Sequence, residues 1–154
     1  MLYFEDLEIG STQKYGHYEV TREEVMEFAG KYDPQAFHLD DDAAAATYFG
    51  RLSASGWHTC AMTMAMMVEN MKVHKQAGLG SPGVDQLRWK KPVYPGDTLR
   101  VETTLLEKRR SKSRPDMGIF KSIGQTINQD GDVVLEMISN GLIKVRDPDA
   151  AIED

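Results

Sequence analysis

Asp33 and His38 are the residues whose types and spacing point most directly to chemistry. Four residues separate them on a segment that Pro34 marks as a loop. That spacing can set a carboxylate and an imidazole around one water molecule, an arrangement suited to general acid–base catalysis. Each residue alone has a plainer explanation. An Asp before proline is a common turn former, and a lone His is more often a surface or core imidazole. Asp40 reads as the N-cap of a following helix rather than a third catalytic group. The histidines His17, His38, His58 and His74 are not at a recognised metal-ligand spacing. With Cys60 the single thiol, no metal and no other cofactor is expected.

The elements that must position this loop are legible on both sides of it. Residues 10–20, with Thr12, Tyr15, Tyr18 and Val20, read as a first strand. Thr21-Arg22-Glu23-Glu24 has the form of a capping box, and Val25, Phe28 and Ala29 follow at helical spacing. Pro34 predicts an end to that helix near Tyr32. Asp40-Asp41-Asp42 ahead of an alanine run predicts a short second helix that Gly50 stops. After a loop at 53–56, residues 57–75 form the longest helical candidate. Its expected apolar face is Trp57, Ala61, Met64, Ala65, Val68 and Met71, with the methionines as adaptable core filler.

Gly78, Gly80, Pro82 and Gly83 break any helix, and the pattern then turns to strands. Four are expected, at 84–93, 98–108, 118–128 and 133–145. Tyr94-Pro95-Gly96-Asp97 and Gln129-Asp130-Gly131-Asp132 are turns, 109–116 is a basic loop, and 146–154 is an acidic, frayed tail. An antiparallel sheet has an apolar face to cover, and only the long helix is large enough to do so. The expected fold class is α+β, with a sheet packed on a long helix.

Composition sets outer bounds. The 154 residues suit a single domain spanning 1–154, and 41% hydrophobic with 27% charged residues is ordinary for a globular protein. A net charge of −6 argues against nucleic-acid binding, which favours a basic face. One cysteine excludes an internal disulfide and fits a reducing compartment. The first ten residues carry three acids and no base, unlike a secretory signal. No segment approaches the roughly 20 apolar residues of a membrane helix. A soluble cytoplasmic protein is expected, with neither a nucleic acid nor a membrane as partner.

Asp33-Pro34-Gln35-Ala36-Phe37-His38-Leu39-Asp40 resembles the Asp-x4-His-x-Asp signature of the MaoC-like hydratases, the (R)-specific enoyl-CoA hydratase family. The likeness continues through Tyr48-Phe49-Gly50-Arg51 and Ala54-Ser55-Gly56. It resumes at Leu87-Arg88-Trp89-Lys90-Lys91-Pro92-Val93-Tyr94-Pro95-Gly96-Asp97, and so spans nearly the whole chain in order. The resemblance implies a hot-dog fold, its sheet wrapped around a central helix. It implies a homodimer or higher homo-oligomer, with acyl-CoA near the subunit interface. It also implies that Asp33 and His38 bind the catalytic water and handle the proton transfers.

Gly56 matches the family glycine whose N–H meets the thioester oxygen, and a helix N-terminus favours negative charge developing there. Many members carry His-Gly where this chain has Ser55-Gly56. Ser55 is explained as the N-cap of the long helix, or as a group touching the dyad or the substrate. Trp57 is expected in the core or pocket wall, and His58 in plain packing, the pocket lining or a subunit contact. Arg88, Lys90, Lys91 and the basic cluster at 108–114 are candidates for the CoA phosphates. The implied reaction is hydration of trans-2-enoyl-CoA to (R)-3-hydroxyacyl-CoA, or its reverse. An acyl-CoA thioesterase on the same fold and a non-catalytic acyl-CoA-binding subunit remain the alternatives.

Overall fold

The computed structural model describes residues 1–151. Strand β1 (Thr12–Glu19) leads into helix α1 (Arg22–Tyr32). The Thr21 hydroxyl accepts from the Glu24 N–H and caps α1. Only half of the expected capping box forms, because the Glu24 carboxylate turns to Tyr18 and His58 instead. The helix ends at Tyr32, and Asp33 before the proline takes φ −150° and ψ 67°, outside the helical region. A 3-10 turn, Ala36–His38, shapes the loop that carries the histidine. Helix α2 (Asp41–Ala45) follows, with Asp40 capping it by accepting from the Ala43 N–H at 2.8 Å.

The long helix α3 (Gly56–Val73) is followed by β2 (Gly78–Trp89), β3 (Thr98–Arg110), β4 (Met117–Ile127) and β5 (Val133–Lys144). All five strands form one antiparallel sheet in the order β1-β3-β4-β5-β2. This α+β arrangement around α3 is the hot-dog fold. Strand β2 does not pair with its successor β3; it crosses to β5 and forms an edge. It also begins earlier than expected, running through Gly80 and Gly83, where the register with β5 shifts. An edge strand tolerates Pro82 and such irregularities because one row of its backbone groups needs no partner strand.

The buried face of α3 is the reverse of the expected one. His58, Thr59, Met62, Thr63, Met66 and Met67 pack inward, whereas Trp57, Met64, Val68 and Met71 stay exposed. The three inward methionines join Val25, Leu99, Val101, Val134 and Leu135 in the core. Within the stripe the Thr63 hydroxyl meets that of Thr126 on β4 at 2.6 Å, whereas the buried His58 Nδ1 has no hydrogen-bond partner. The described part of the tail makes contacts with the rest of the chain. Arg146 pairs with Asp6, and Arg110 donates to the carbonyls of Pro148 and Ala150. Residues 152–154, the end of the expected tail, lie outside the described residues.

Candidate active site

Asp33 leaves the last turn of α1, and His38 closes the 3-10 turn behind it. Their side chains converge, with His38 Nε2 3.4 Å from Asp33 Oδ2. His38 is buried, and Phe37 and Phe49 pack beside its ring. Its Nδ1 lies 2.7 Å from the Ser53 carbonyl oxygen. A carbonyl only accepts, so Nδ1 carries a proton. In the neutral ring the lone pair then belongs to Nε2, the nitrogen facing Asp33.

Ser53, Ala54 and Ser55 form a buried segment that the Ala54 N–H ties to the Val93 carbonyl at 2.8 Å. Ser55 performs two of the roles foreseen for it. Its hydroxyl accepts from the Trp57 N–H at 3.3 Å as the N-cap of α3, and donates to Asp33 Oδ2 at 2.7 Å. Burial works to raise the Asp33 pKa, but hydrogen bonds from Ser55 and Gln35 and the nearby His38 together hold it below the ordinary carboxylate value. Gln35, which carried no expectation, donates from Nε2 to Asp33 Oδ1 at 2.7 Å. The signal for it was its place two residues after Asp33.

Gly56 opens α3, where a backbone N–H has no acceptor within the helix. The Trp89 indole lies against it, donating from Nε1 to the Gly56 carbonyl at 2.8 Å. A Cβ at position 56 would sit 2.5 Å from Trp89 Cε2, so the close approach itself demands glycine. Trp57 meets Trp89 edge to face at 5.1 Å, and both remain about half exposed. Together they form an aromatic wall beside Gly56. Trp89 was visible only as part of the strand motif, since pattern alone does not say which β2 side chains turn toward α3.

Two further candidates, His58 and Arg88, have other neighbours than the Asp33–His38 pair. His58 is buried against α1, with Nε2 3.1 Å from Glu24 Oε1 and Phe28 stacked on its ring at 4.6 Å. Successive α3 residues point in different directions, so following Gly56 by two positions does not bring it to the dyad. Arg88 stands between Leu87, which packs on the core, and Trp89, which packs on Gly56. Strand alternation therefore sends it to the outer face of the sheet, beside Gln86.

The other phosphate candidates are largely engaged by their own chain. Lys108 donates to the carbonyls of Phe4 and Leu7, and Arg110 to those of Pro115, Pro148 and Ala150. Lys90, Lys91 and Arg114 pair with Glu136, Asp132 and Asp116. Among the described residues, no three His, Cys, Asp or Glu side chains gather as a metal site. Cys60 is half-buried, and burial pushes its thiol up.

With the acid, the imidazole and the helix terminus assembled in one place, the wider comparison becomes decisive. Residues 6–123 match the model of the MaoC like domain. The chain belongs to the MaoC-like family. A relative in Bacillus subtilis, the uncharacterized protein YdeM, is 30% identical over 140 residues, covering 91% of this chain and 97% of that one. The 3-hydroxybutyryl-CoA dehydratase of Methylorubrum extorquens is 29% identical over 139 residues, covering 89% and 85%. The crystal structure of the MaoC-like dehydratase from Rhodospirillum rubrum superposes with a TM-score of 0.86 at 39% identity, covering 96% of this chain and 99% of that one.

Proposed function

We propose that this MaoC-like chain adds water to a trans-2-enoyl-CoA to give the (R)-3-hydroxyacyl-CoA, or removes it in reverse. The observation that carries the reading is the 3.4 Å approach of His38 Nε2 to Asp33 Oδ2, with Nδ1 committed to the Ser53 carbonyl. An ionised Asp33 and a neutral His38 both present acceptors to a water between them. Such a water donates a hydrogen to each and keeps an oxygen lone pair for C3. As its O–H bond breaks, hydroxyl joins C3 and the proton held by the pair passes to C2, leaving the pair as it began. Enolate charge grows on the thioester oxygen meanwhile, and the Gly56 N–H at the head of α3 is suited to receive it.

The reading includes Trp57 as part of the substrate wall and a second copy of the chain as partner. Its support is the exposed apolar side chains of α3, Trp57, Met64, Val68 and Met71, and the open edge β2. It needs no cofactor beyond the thioester substrate. A cytoplasmic setting is part of the reading, supported by the lone thiol Cys60.

The test is mass spectrometry of the purified protein with a panel of trans-2-enoyl-CoAs. The expected result is a gain of one water that Asp33→Asn and His38→Ala abolish while the circular dichroism stays native. Release of free CoA identifies a thioesterase instead. Saturable acyl-CoA binding without turnover on any substrate identifies a binding subunit. Wild-type hydration in both variants overturns the dyad.

A further inference from the structure

The two oxygens of Asp33 are held by different kinds of neighbour. Oδ2 faces inward to the buried Ser55 hydroxyl and to His38 Nε2. Oδ1 faces Gln35, whose side chain is turned back on the chain to reach it at 2.7 Å. The local backbone favours that reach. The Gln35 N–H donates to the Asp33 carbonyl at 2.8 Å, closing a tight turn around Pro34. Gln35 is also the N-cap residue of the 3-10 turn that ends in His38, yet its side chain does not cap that turn. Its amide is given to the carboxylate, so one residue borders both members of the pair.

We propose that Gln35 is a positioning residue for the Asp33–His38 pair. By donating to Oδ1 it fixes the rotation of the carboxylate and keeps Oδ2 turned to Ser55 and His38. Without it, Oδ2 would retain a donor but Oδ1 would be free to swing, and the distance to Nε2 would vary. An amide suits the task because it donates without titrating. The inference rests on the hydration reading for its catalytic consequence only; the geometry at Asp33 is independent of the substrate.

Gln35 also favours the ionised form of Asp33, since a hydrogen bond to the charged state stabilises it. The other groups facing the carboxylate are Ser55, the N-cap of α3, and His38 from the 3-10 turn. Lys31, in the last turn of α1, pairs with Glu27. Removing Gln35 therefore shifts the carboxylate toward its ordinary behaviour, and a carboxylate at position 35 shifts it further by like-charge repulsion.

The experiment compares wild type with Gln35→Ala and Gln35→Glu. Both substitutions are at an exposed position, where folding should survive. Carbon-13 NMR of the Asp33 carboxyl should give a titration midpoint that rises in Gln35→Ala and rises again in Gln35→Glu. With an enoyl-CoA that the wild type hydrates, kcat should fall about tenfold in Gln35→Ala. KM should stay within about twofold, and the acidic limb of the rate profile should move up with the NMR midpoint. An unchanged Asp33 midpoint in both variants overturns the inference. A loss confined to KM overturns it too, because it would make Gln35 a substrate contact. If the wild type hydrates no substrate, the functional reading fails while the NMR midpoints still decide the role of Gln35.

Discussion

Ser55 Oγ donates to Asp33 Oδ2 at 2.7 Å, and this contact couples the head of α3 to the end of α1. The same oxygen accepts from the Trp57 N–H, so helix cap and carboxylate orientation depend on one hydroxyl. Ser55→Ala should raise the Asp33 pKa and lower hydratase kcat by about 10- to 100-fold. The pH–rate profile should show its acidic limb moved upward. Ser55→Thr, which keeps the hydroxyl but adds a methyl in a fully buried site, should restore the limb without full stability.

Gly56 and Trp89 make a second coupled pair. Gly56→Ala forces the new Cβ onto the indole, and overpacking of this kind costs about 1–3 kcal/mol. Urea unfolding should show that loss in the single variant. In Gly56→Ala/Trp89→Ala the effect of the alanine should shrink, because the opposing ring is gone. Equal losses with and without Trp89 would place the strain elsewhere.

The Tyr18–Glu24–His58 cluster predicts a pH-dependent stability unrelated to the dyad. Burial holds the His58 pKa below its ordinary 6.5, against the opposing pull of Glu24. The hydrogen bond from Tyr18 holds Glu24 low, with His58 adding to it, and Tyr18 is pushed up to about 12 by burial and by Glu24. The folded state therefore prefers neutral His58, and its contribution is complete above pH 6.5. It declines as pH falls below that value, and the Glu24 contribution follows as pH drops through its own lowered pKa. Thermal unfolding should show a falling midpoint from pH 7 to pH 5, with a flatter profile in His58→Gln.

Met64 and Val68 test the partner assignment. Both project from the exposed face of α3, where a globular subunit would not ordinarily leave an apolar stripe bare. Met64→Lys/Val68→Lys should halve the mass seen by sedimentation equilibrium and leave circular dichroism native. An unchanged mass would direct the search for a subunit interface to another surface.

Much of this architecture was readable from local chemistry. Thr21 and Pro34 bracket α1 because a hydroxyl cap and a missing N–H act within a few residues. Asp40 as a cap and Tyr94 to Asp97 as a turn follow the same logic, and the turn closes with the Tyr94 N–H on the Asp97 carboxylate at 2.9 Å. The α3 face was misread because Trp57, Met64 and Met71 outweigh Thr59 and Thr63 in hydropathy. Only tertiary structure gives the Thr63 hydroxyl its partner, Thr126. The start of β2 was misread because Gly80, Pro82 and Gly83 signal interruption, and nothing local says that the strand is an edge. At the site, Asp33 and His38 were visible through their spacing. The turning of His58 toward Glu24 and of Arg88 to the outer face depends on helix phase and strand pleat.

The partner of His38 Nδ1 is a main-chain oxygen, that of Ser53. Exchanging the side chain at position 53 therefore leaves the imidazole's tautomer in place as long as the backbone keeps its course. What endangers it is a change of length. One residue added or removed between Leu39 and Ser53 would carry that oxygen out of reach, though every group with obvious reactivity were retained. The site should accordingly withstand point replacement in this stretch better than insertion or deletion.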